Sequence, residues 1–209
     1  MKIKRFEVGP LFVNSYVVYD EKTKVGIIID PGDEPDLILD FVKEEDLNIK
    51  YIICTHGHFD HIGAVKEIKE ETGADVILHR EDIEIYKNSP QVAMQFFGIE
   101  IEPQPEPDKL IENEETITIF GKEIKFIHTP GHSPGSMCIY IENHLFTGDT
   151  LFAGSVGRTD LIGGSMDKLL NSLKKIAKLP MNTEVLPGHG PKTELQTEIK
   201  TNPFYHDIV

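Results

Sequence analysis

The spacing of apolar positions along the chain switches between the two-residue rhythm of strands and the three-to-four rhythm of helices. Residues 2–8, 15–19 and 25–30 read as strands separated by turn chemistry, including Asp30-Pro31-Gly32, and together predict a meander. Over 35–45, Leu37, Ile38, Phe41 and Val42 recur at helical spacing. The almost wholly apolar run 49–55 then predicts a short buried strand. A helix at 62–72 closed by Gly73, a strand at 75–78 and a helix at 81–88 continue an alternating β and α order.

Residues 89–108 carry an apolar patch, Val92-Ala93-Met94-Gln95-Phe96-Phe97, followed by Pro103, Pro105 and Pro107. The favoured reading is a helix packed into the core and then a stiff connector; a mobile lid is the alternative. Two hairpins follow, 116–120 with 123–128 around Gly121-Lys122, and 137–141 with 144–147 around Glu142-Asn143. Leu169, Leu170, Leu173, Ile176 and Ala177 trace a helical face ending before Pro180, a strand spans 184–186, and a short helix starts at 193. Sheets packed together with helices outside suit this order. No linker marks a boundary, so residues 1–209 are expected to form one domain.

Composition narrows the classes. At 209 residues, with 39% hydrophobic and 27% charged residues, the chain is neither disordered nor a coiled coil. Its apolar runs fall far short of the ~20 residues a membrane crossing needs. The start, Met1-Lys2-Ile3-Lys4-Arg5, lacks the apolar region of a secretory signal, which makes the cytoplasm the expected compartment. Cys54 and Cys138 sit in apolar runs and read as buried thiols. The net charge of −14 speaks against nucleic acid as a partner, while several cations at one site would restore local positive potential for a small anionic substrate.

The strongest chemical signal is His56-Gly57-His58-Phe59-Asp60-His61, directly after the apolar strand and before a helix. Imidazole nitrogens mixed with a carboxylate suit zinc, iron or manganese. The plainer reading is a surface cluster in which Asp60 caps the next helix. Three more segments place a candidate ligand beside glycine at a strand end: Thr129-Pro130-Gly131-His132, Phe146-Thr147-Gly148-Asp149 and Leu186-Pro187-Gly188-His189. Loops of this kind can aim their side chains into a cleft at one sheet edge.

With these blocks in order from Asn14 onward, the sequence resembles the metallo-β-lactamase superfamily, whose signature is His-x-His-x-Asp-His followed by a later His, Asp and His. The resemblance implies an α/β fold of the four-layer αββα sandwich type and two divalent metal ions, zinc first, with iron or manganese as alternatives. It implies that His56, His58 and His132 hold one metal, that Asp60, His61 and His189 hold the other, and that Asp149 bridges them.

Within the superfamily the chain is similar to glyoxalase II, the hydroxyacylglutathione hydrolases, in 129–136, in Phe146-Thr147-Gly148-Asp149-Thr150-Leu151-Phe152 and in Gly154-Ser155-Val156-Gly157-Arg158. This likeness implies hydrolysis of an S-2-hydroxyacylglutathione-type thioester by a metal-bridging hydroxide, with Asp60 as ligand and hydroxide orienter and Arg158 contacting an anionic part of the substrate. A salt-bridged surface arginine is the competing reading of Arg158. Thr159-Asp160 stands where the glyoxalase II tyrosine is expected, and the chain ends about twenty residues past His189, so the thioester is better supported than glutathione as its carrier. The rivals are a mononuclear-iron persulfide dioxygenase, suggested by Gly157-Arg158-Thr159-Asp160, hydrolysis of another ester, a lactone or a phosphodiester, and a non-catalytic binding module. The expected partner is a small-molecule thioester, with the chain a monomer or small homo-oligomer. His79 and His128 are assigned packing or turn roles before supporting ones, and His144 and His206 no catalytic part.

Overall fold

A computed structural model describes residues 1–206 and 208. The chain forms two compact units, residues 1–111 and 112–209, each built on a six-stranded mixed sheet.

In the first unit, β1 (Lys2–Val8), β2 (Val13–Tyr19) and β3 (Val25–Ile29) form the expected antiparallel meander. Helix α1 (Pro35–Glu44) begins with Pro35 in its first turn and Asp36 near its positive end, both favourable there. It buries Ile38, Leu39 and Val42, while Leu37 is exposed. Strand β4 (Asn48–Ile53) lies parallel to β3, and its end, Ile52 and Ile53, is fully buried.

The helix expected over 62–72 is two helices, α2 (Phe59–Ile62) and α3 (Val65–Thr72). Apolar periodicity runs through the break, which is set by a tertiary contact: the Ala64 N–H donates to the Pro31 carbonyl at 3.0 Å. Gly32 makes this approach possible, since a Cβ there would fall 1.8 Å from the Asp60 carbonyl oxygen. Parallel strand β5 (Asp75–His79) follows, and His79 closes it by accepting the Glu81 N–H on Nδ1 at 3.3 Å, a turn role.

Helix α4 (Ile83–Val92) passes through Pro90 into a π-helical turn, Ala93–Phe97. The patch is helical as expected, yet only Ala93 is buried; Met94, Phe96 and Phe97 face solvent. The connector beyond is pinned: the Gln104 side chain accepts from the Lys66 N–H (2.8 Å) and donates to the Gly63 carbonyl (3.2 Å). The Tyr86 hydroxyl donates to the Pro105 carbonyl at 2.9 Å. Asp108 accepts the Val76 N–H at 2.8 Å, next to β6 (Lys109–Ile111), which closes the sheet beside β5.

In the second unit, β7 (Glu115–Ile119) pairs β8 (Lys122–His128), and β9 (Met137–Ile141) pairs β10 (His144–Gly148), both as tight hairpins. The first turns at Phe120 and Gly121, one residue before the expected Gly121-Lys122, with positive φ at both positions, as type I′ hairpin loops require. Helix α5 (Met166–Ile176) is capped by Ser165 and buries Leu169, Leu173 and Ile176. Strand β11 (Glu184–Pro187) lies parallel to β10, β12 (Thr193–Glu194) forms the far edge, and α6 (Leu195–Thr201) follows. Cys54 and Cys138 are buried free thiols, the first held far above its ordinary pKa and the second pushed up to about 11, in both cases chiefly by burial. Among the described residues no helix is long and apolar enough to cross a membrane.

Candidate metal centre

In the first unit the expected ligands sit on the loop and helix that leave β4. His58 precedes α2, Asp60 and His61 lie in its first turn, and the His61 N–H donates to the His58 carbonyl at 3.0 Å. The His56 and His58 rings meet edge to face at 4.8 Å, and those of His56 and His61 lie 4.1 Å apart. His56 and His61 are buried, whereas Asp60 is partly accessible.

A residue read above only as part of a turn organises this cluster. Asp30, buried and with φ 49°, accepts the Thr55 N–H on Oδ1 (2.7 Å) and the Thr55 hydroxyl on Oδ2 (2.7 Å). Its Oδ2 also lies 3.0 Å from His61 Nδ1. A hydroxyl has one proton, and Thr55 spends it on Asp30. The 3.0 Å contact between Thr55 Oγ1 and His56 Nδ1 therefore has His56 donating. His61 Nδ1 likewise donates, because an ionised carboxylate only accepts. Both rings thus present Nε2 as the lone-pair nitrogen, the arrangement seen when a second partner fixes a metal-binding histidine. Asp30, His56 and His61 lie close enough for their ligand atoms to form a cation cage, within 4.8 Å of one another. The oxygens of Asp30 are already committed, so its role is support. Asp82, also buried, accepts the Gly57 N–H at 2.8 Å and holds the loop from the other side.

The second unit gathers His132, Asp149 and His189 from loops after β8, β10 and β11. His132 Nδ1 lies 2.8 Å from the Arg158 carbonyl, which only accepts, so this ring too presents Nε2. His132 Nε2 is 3.5 Å and His189 Nε2 3.7 Å from the same Asp149 oxygen, Oδ2. In the first unit His61 Nε2 is 3.7 Å from Asp60 Oδ2. These separations are long for hydrogen bonds. Two ligands held at 2.0–2.2 Å on one tetrahedral cation would stand about 3.3–3.6 Å apart, so the 3.5 Å spacing falls within that range and the two of 3.7 Å just above it.

The loop after Asp149 is tightly placed. A Cβ on Gly157 would fall 1.9 Å from the Asp149 carbonyl oxygen and 3.1 Å from His132 Nδ1, which makes glycine necessary there. Behind it, buried Glu198 accepts the Gly154 N–H (2.8 Å), the Thr193 hydroxyl (2.7 Å) and the Asn202 side-chain amide (2.8 Å). Asn202 in turn donates to the Ser155 carbonyl at 3.1 Å. The Gly188 N–H donates to the Gly148 carbonyl at 2.8 Å, joining the loops that carry His189 and Asp149. The Thr129 and Thr150 hydroxyls meet at 3.0 Å beneath them.

The Arg158 guanidinium is exposed and forms a two-pronged pair with Asp160 at 2.7 Å and 2.7 Å, which holds the Asp160 carboxyl down at about 2. His128 Nε2 lies 2.9 Å from the Pro134 carbonyl, a turn contact; His144 stands near Glu184 and His206 is exposed. Asp30, Asp82, Glu198 and Asn202 are the supporting residues that the sequence reading did not single out. Only the Asp-Pro-Gly spelling at 30–32 drew attention to any of them, as turn chemistry.

The model of the metallo-β-lactamase superfamily matches residues 8–189. The chain is 40% identical over 209 residues to the probable metallo-hydrolase YqgX of Bacillus subtilis, covering 98% of this chain and 97% of that one. It is 34% identical over 211 residues to the hydroxyacylglutathione hydrolase GloC of Haemophilus influenzae, covering 98% of each. Among solved structures, the BLEG-1 B3 metallo-β-lactamase matches with a TM-score of 0.92 at 38% identity, over 98% of this chain and 100% of that one. TTHA1623 in a di-iron-bound form matches with a TM-score of 0.87 at 40% identity, over 96% and 99%. ETHE1 from Myxococcus xanthus matches with a TM-score of 0.81 at 26% identity, over 97% and 84%. The two mixed sheets with their helices, the preset imidazoles and these matches together lead to one assignment: the chain belongs to the metallo-β-lactamase superfamily and has its α/β sandwich fold.

Proposed function

We propose that this chain is a dinuclear metallohydrolase that cleaves thioesters of the S-2-hydroxyacylglutathione type to a hydroxy acid and a free thiol. The observation that carries the metal requirement is the set of contacts made by Nδ1 of His56, His61 and His132, which place the ring proton there and make Nε2 the lone-pair nitrogen of each ring. The thioester rests on the likeness of residues 129–136 and 146–158 to glyoxalase II and on the relative named hydroxyacylglutathione hydrolase.

In this reading His56, His58 and His132 hold one ion, Asp60, His61 and His189 the other, and Asp149 both. Two divalent ions, taken as zinc with iron or manganese as alternatives, supply a Lewis acid for the carbonyl and a nucleophile at neutral pH. The protein's own part is positional. Asp30, through Thr55 and His61, holds two imidazoles in the tautomer that ligation needs. Asp60, partly open to solvent, would serve as ligand and orient the nucleophile. No side-chain nucleophile is needed, and a departing thiolate is stable enough near neutral pH to leave without a strong acid. Arg158, at the surface, would exchange its pairing with Asp160 for an anionic group of the thiol carrier.

A second reading, a mononuclear-iron persulfide dioxygenase, draws on Gly157-Arg158-Thr159-Asp160 and the likeness to ETHE1. Metal analysis paired with assays separates the two. Two metals per chain with turnover of S-lactoylglutathione is the expected result. One iron per chain with oxygen consumed on glutathione persulfide would replace the proposal, and a β-lactam in the same panel covers the activity named for BLEG-1. We propose further that the enzyme acts in the cytoplasm on small molecules, as a monomer or small homo-oligomer.

A further inference from the structure

The first unit carries an apolar surface beside its core and its candidate ligand Asp60. A narrow crevice of about 20 Å3, room for roughly one methyl-sized group, is walled by Leu11, Val13, Phe59, Ile99 and Ile101 and reaches Asp60. Outside it the Phe97 ring packs on Phe59 at 4.9 Å. Phe96 is 70% exposed, Phe97 50% and Met94 49%, all from the π-helical turn that leads to Ile99 and Ile101. Next to Leu11 of the crevice wall, Phe12 has φ 55° and is 64% exposed. A bulky side chain in the left-handed region costs about 1–3 kcal/mol, and leaving it in water recovers none of that. Apolar surface gathered this way marks a binding surface.

Its position decides the occupant. A partner protein or second copy needs only the outer aromatics and leaves the crevice to Asp60 without purpose. A small molecule whose reacting carbonyl lies at the candidate metal ligands has an apolar arm that enters this crevice and continues along Phe97. We propose, resting on the thioester reading above, that the crevice and the 94–101 segment form an acyl subsite that selects thioesters with an apolar acyl chain over the small hydroxyacyl group of lactoyl thioesters. The wall is preformed, since Gln104 and Tyr86 tie down the connector beyond it, so little ordering opposes binding. One carbon of the chain fills the crevice and the rest lies along the exposed Phe97 and Phe96 rings.

The test uses metal-replete full-length protein and one thiol, glutathione, acylated with lactoyl, butanoyl, hexanoyl and octanoyl groups. Burying a methylene fully is worth about fourfold, so kcat/KM should rise about fourfold for the carbon that fills the crevice and about twofold for each of the next few that cover the half-exposed rings. Phe97→Ala combined with Ile99→Ser should flatten that rise to below about 1.5-fold per carbon, while Met181→Ala, an exposed apolar residue of the other unit, leaves the slope as it was. Dissociation constants for the matching S-alkyl glutathione thioethers read the subsite without turnover. If thioesters are cleaved with a flat series or a preference for lactoyl, the subsite is refuted and the thioester reading stands. If none is cleaved, the reading fails, and thioether affinities that do not tighten with chain length then refute the subsite as well. Self-association abolished by Phe96→Ser, together with a flat series, would give the surface to a second copy.

Discussion

The two units prepare metal ligands by opposite means. In the first, His56, His58, Asp60 and His61 lie within one short stretch, and a single buried carboxylate, Asp30, sets the tautomers of two of the rings. In the second, His132, Asp149 and His189 come from three loops, and the support is mostly backbone: the Arg158 carbonyl on His132, the Gly148 carbonyl on the loop of His189, and close packing at Gly157. Ligands close in sequence need one strong side-chain support, whereas ligands far apart need loops whose main chains fit together. The first arrangement is therefore vulnerable at one carboxylate, and the second at any residue that shifts a loop.

This contrast predicts a ranking of mutational effects. Among the residues that support the ligands, Asp30→Ala should be the most harmful, because it frees Thr55 and His61 together; metal affinity measured by competition with a chelator should fall about 10- to 100-fold. Retained affinity would show that the imidazoles need no carboxylate behind them. Gly157→Ala should follow. Its methyl group displaces the Asp149 carbonyl and presses on His132, costing about 1–3 kcal/mol of stability by denaturant titration and weakening metal binding with it. A variant as stable as the parent, with unchanged metal affinity, would remove close packing from the account of the second unit. Glu198→Gln should do less, since the amide oxygen still accepts from Gly154 and Asn202 and the amide N–H can donate to the Thr193 hydroxyl, which leaves only the charge lost. A loss of about 1–2 kcal/mol is expected, with a smaller change in metal affinity.

The smallest effect concerns the thiols. Burial raises the pKa of both Cys54 and Cys138, so each stays neutral in the folded chain at pH values where an unfolded thiol, near 8.5, ionises. This contribution to stability is fully present below that value and is lost as pH climbs through the folded pKa, about 11 for Cys138. Iodoacetamide at pH 8 should leave both unmodified in native protein and label both after unfolding. Labelling of the native chain would mean that the core around them opens readily.

Much of this was legible before the coordinates. The meander, the parallel β and α units and both hairpins follow from apolar rhythm and turn chemistry, and the clustered histidines identify themselves. What stayed hidden depends on distant partners. Asp30 binds groups 25 and 31 positions away, and Glu198 reaches back 44 positions to Gly154, relations without any local periodicity. The break between α2 and α3 comes from the Pro31 carbonyl, although Ile62, Val65 and Ile68 keep helical spacing across it. β6 is three residues long, too short for alternation to register. The aromatic patch at 94–97 suggested core because of its composition, but the π-helical turn leaves those rings outside.

The most direct test is metal stoichiometry by elemental analysis, comparing the protein purified without chelator with its Asp149→Ala variant. The account predicts two metal ions per chain for the parent and at most one for the variant, with thioester turnover at least 10³-fold lower. Two ions retained with undiminished turnover in the variant would contradict it.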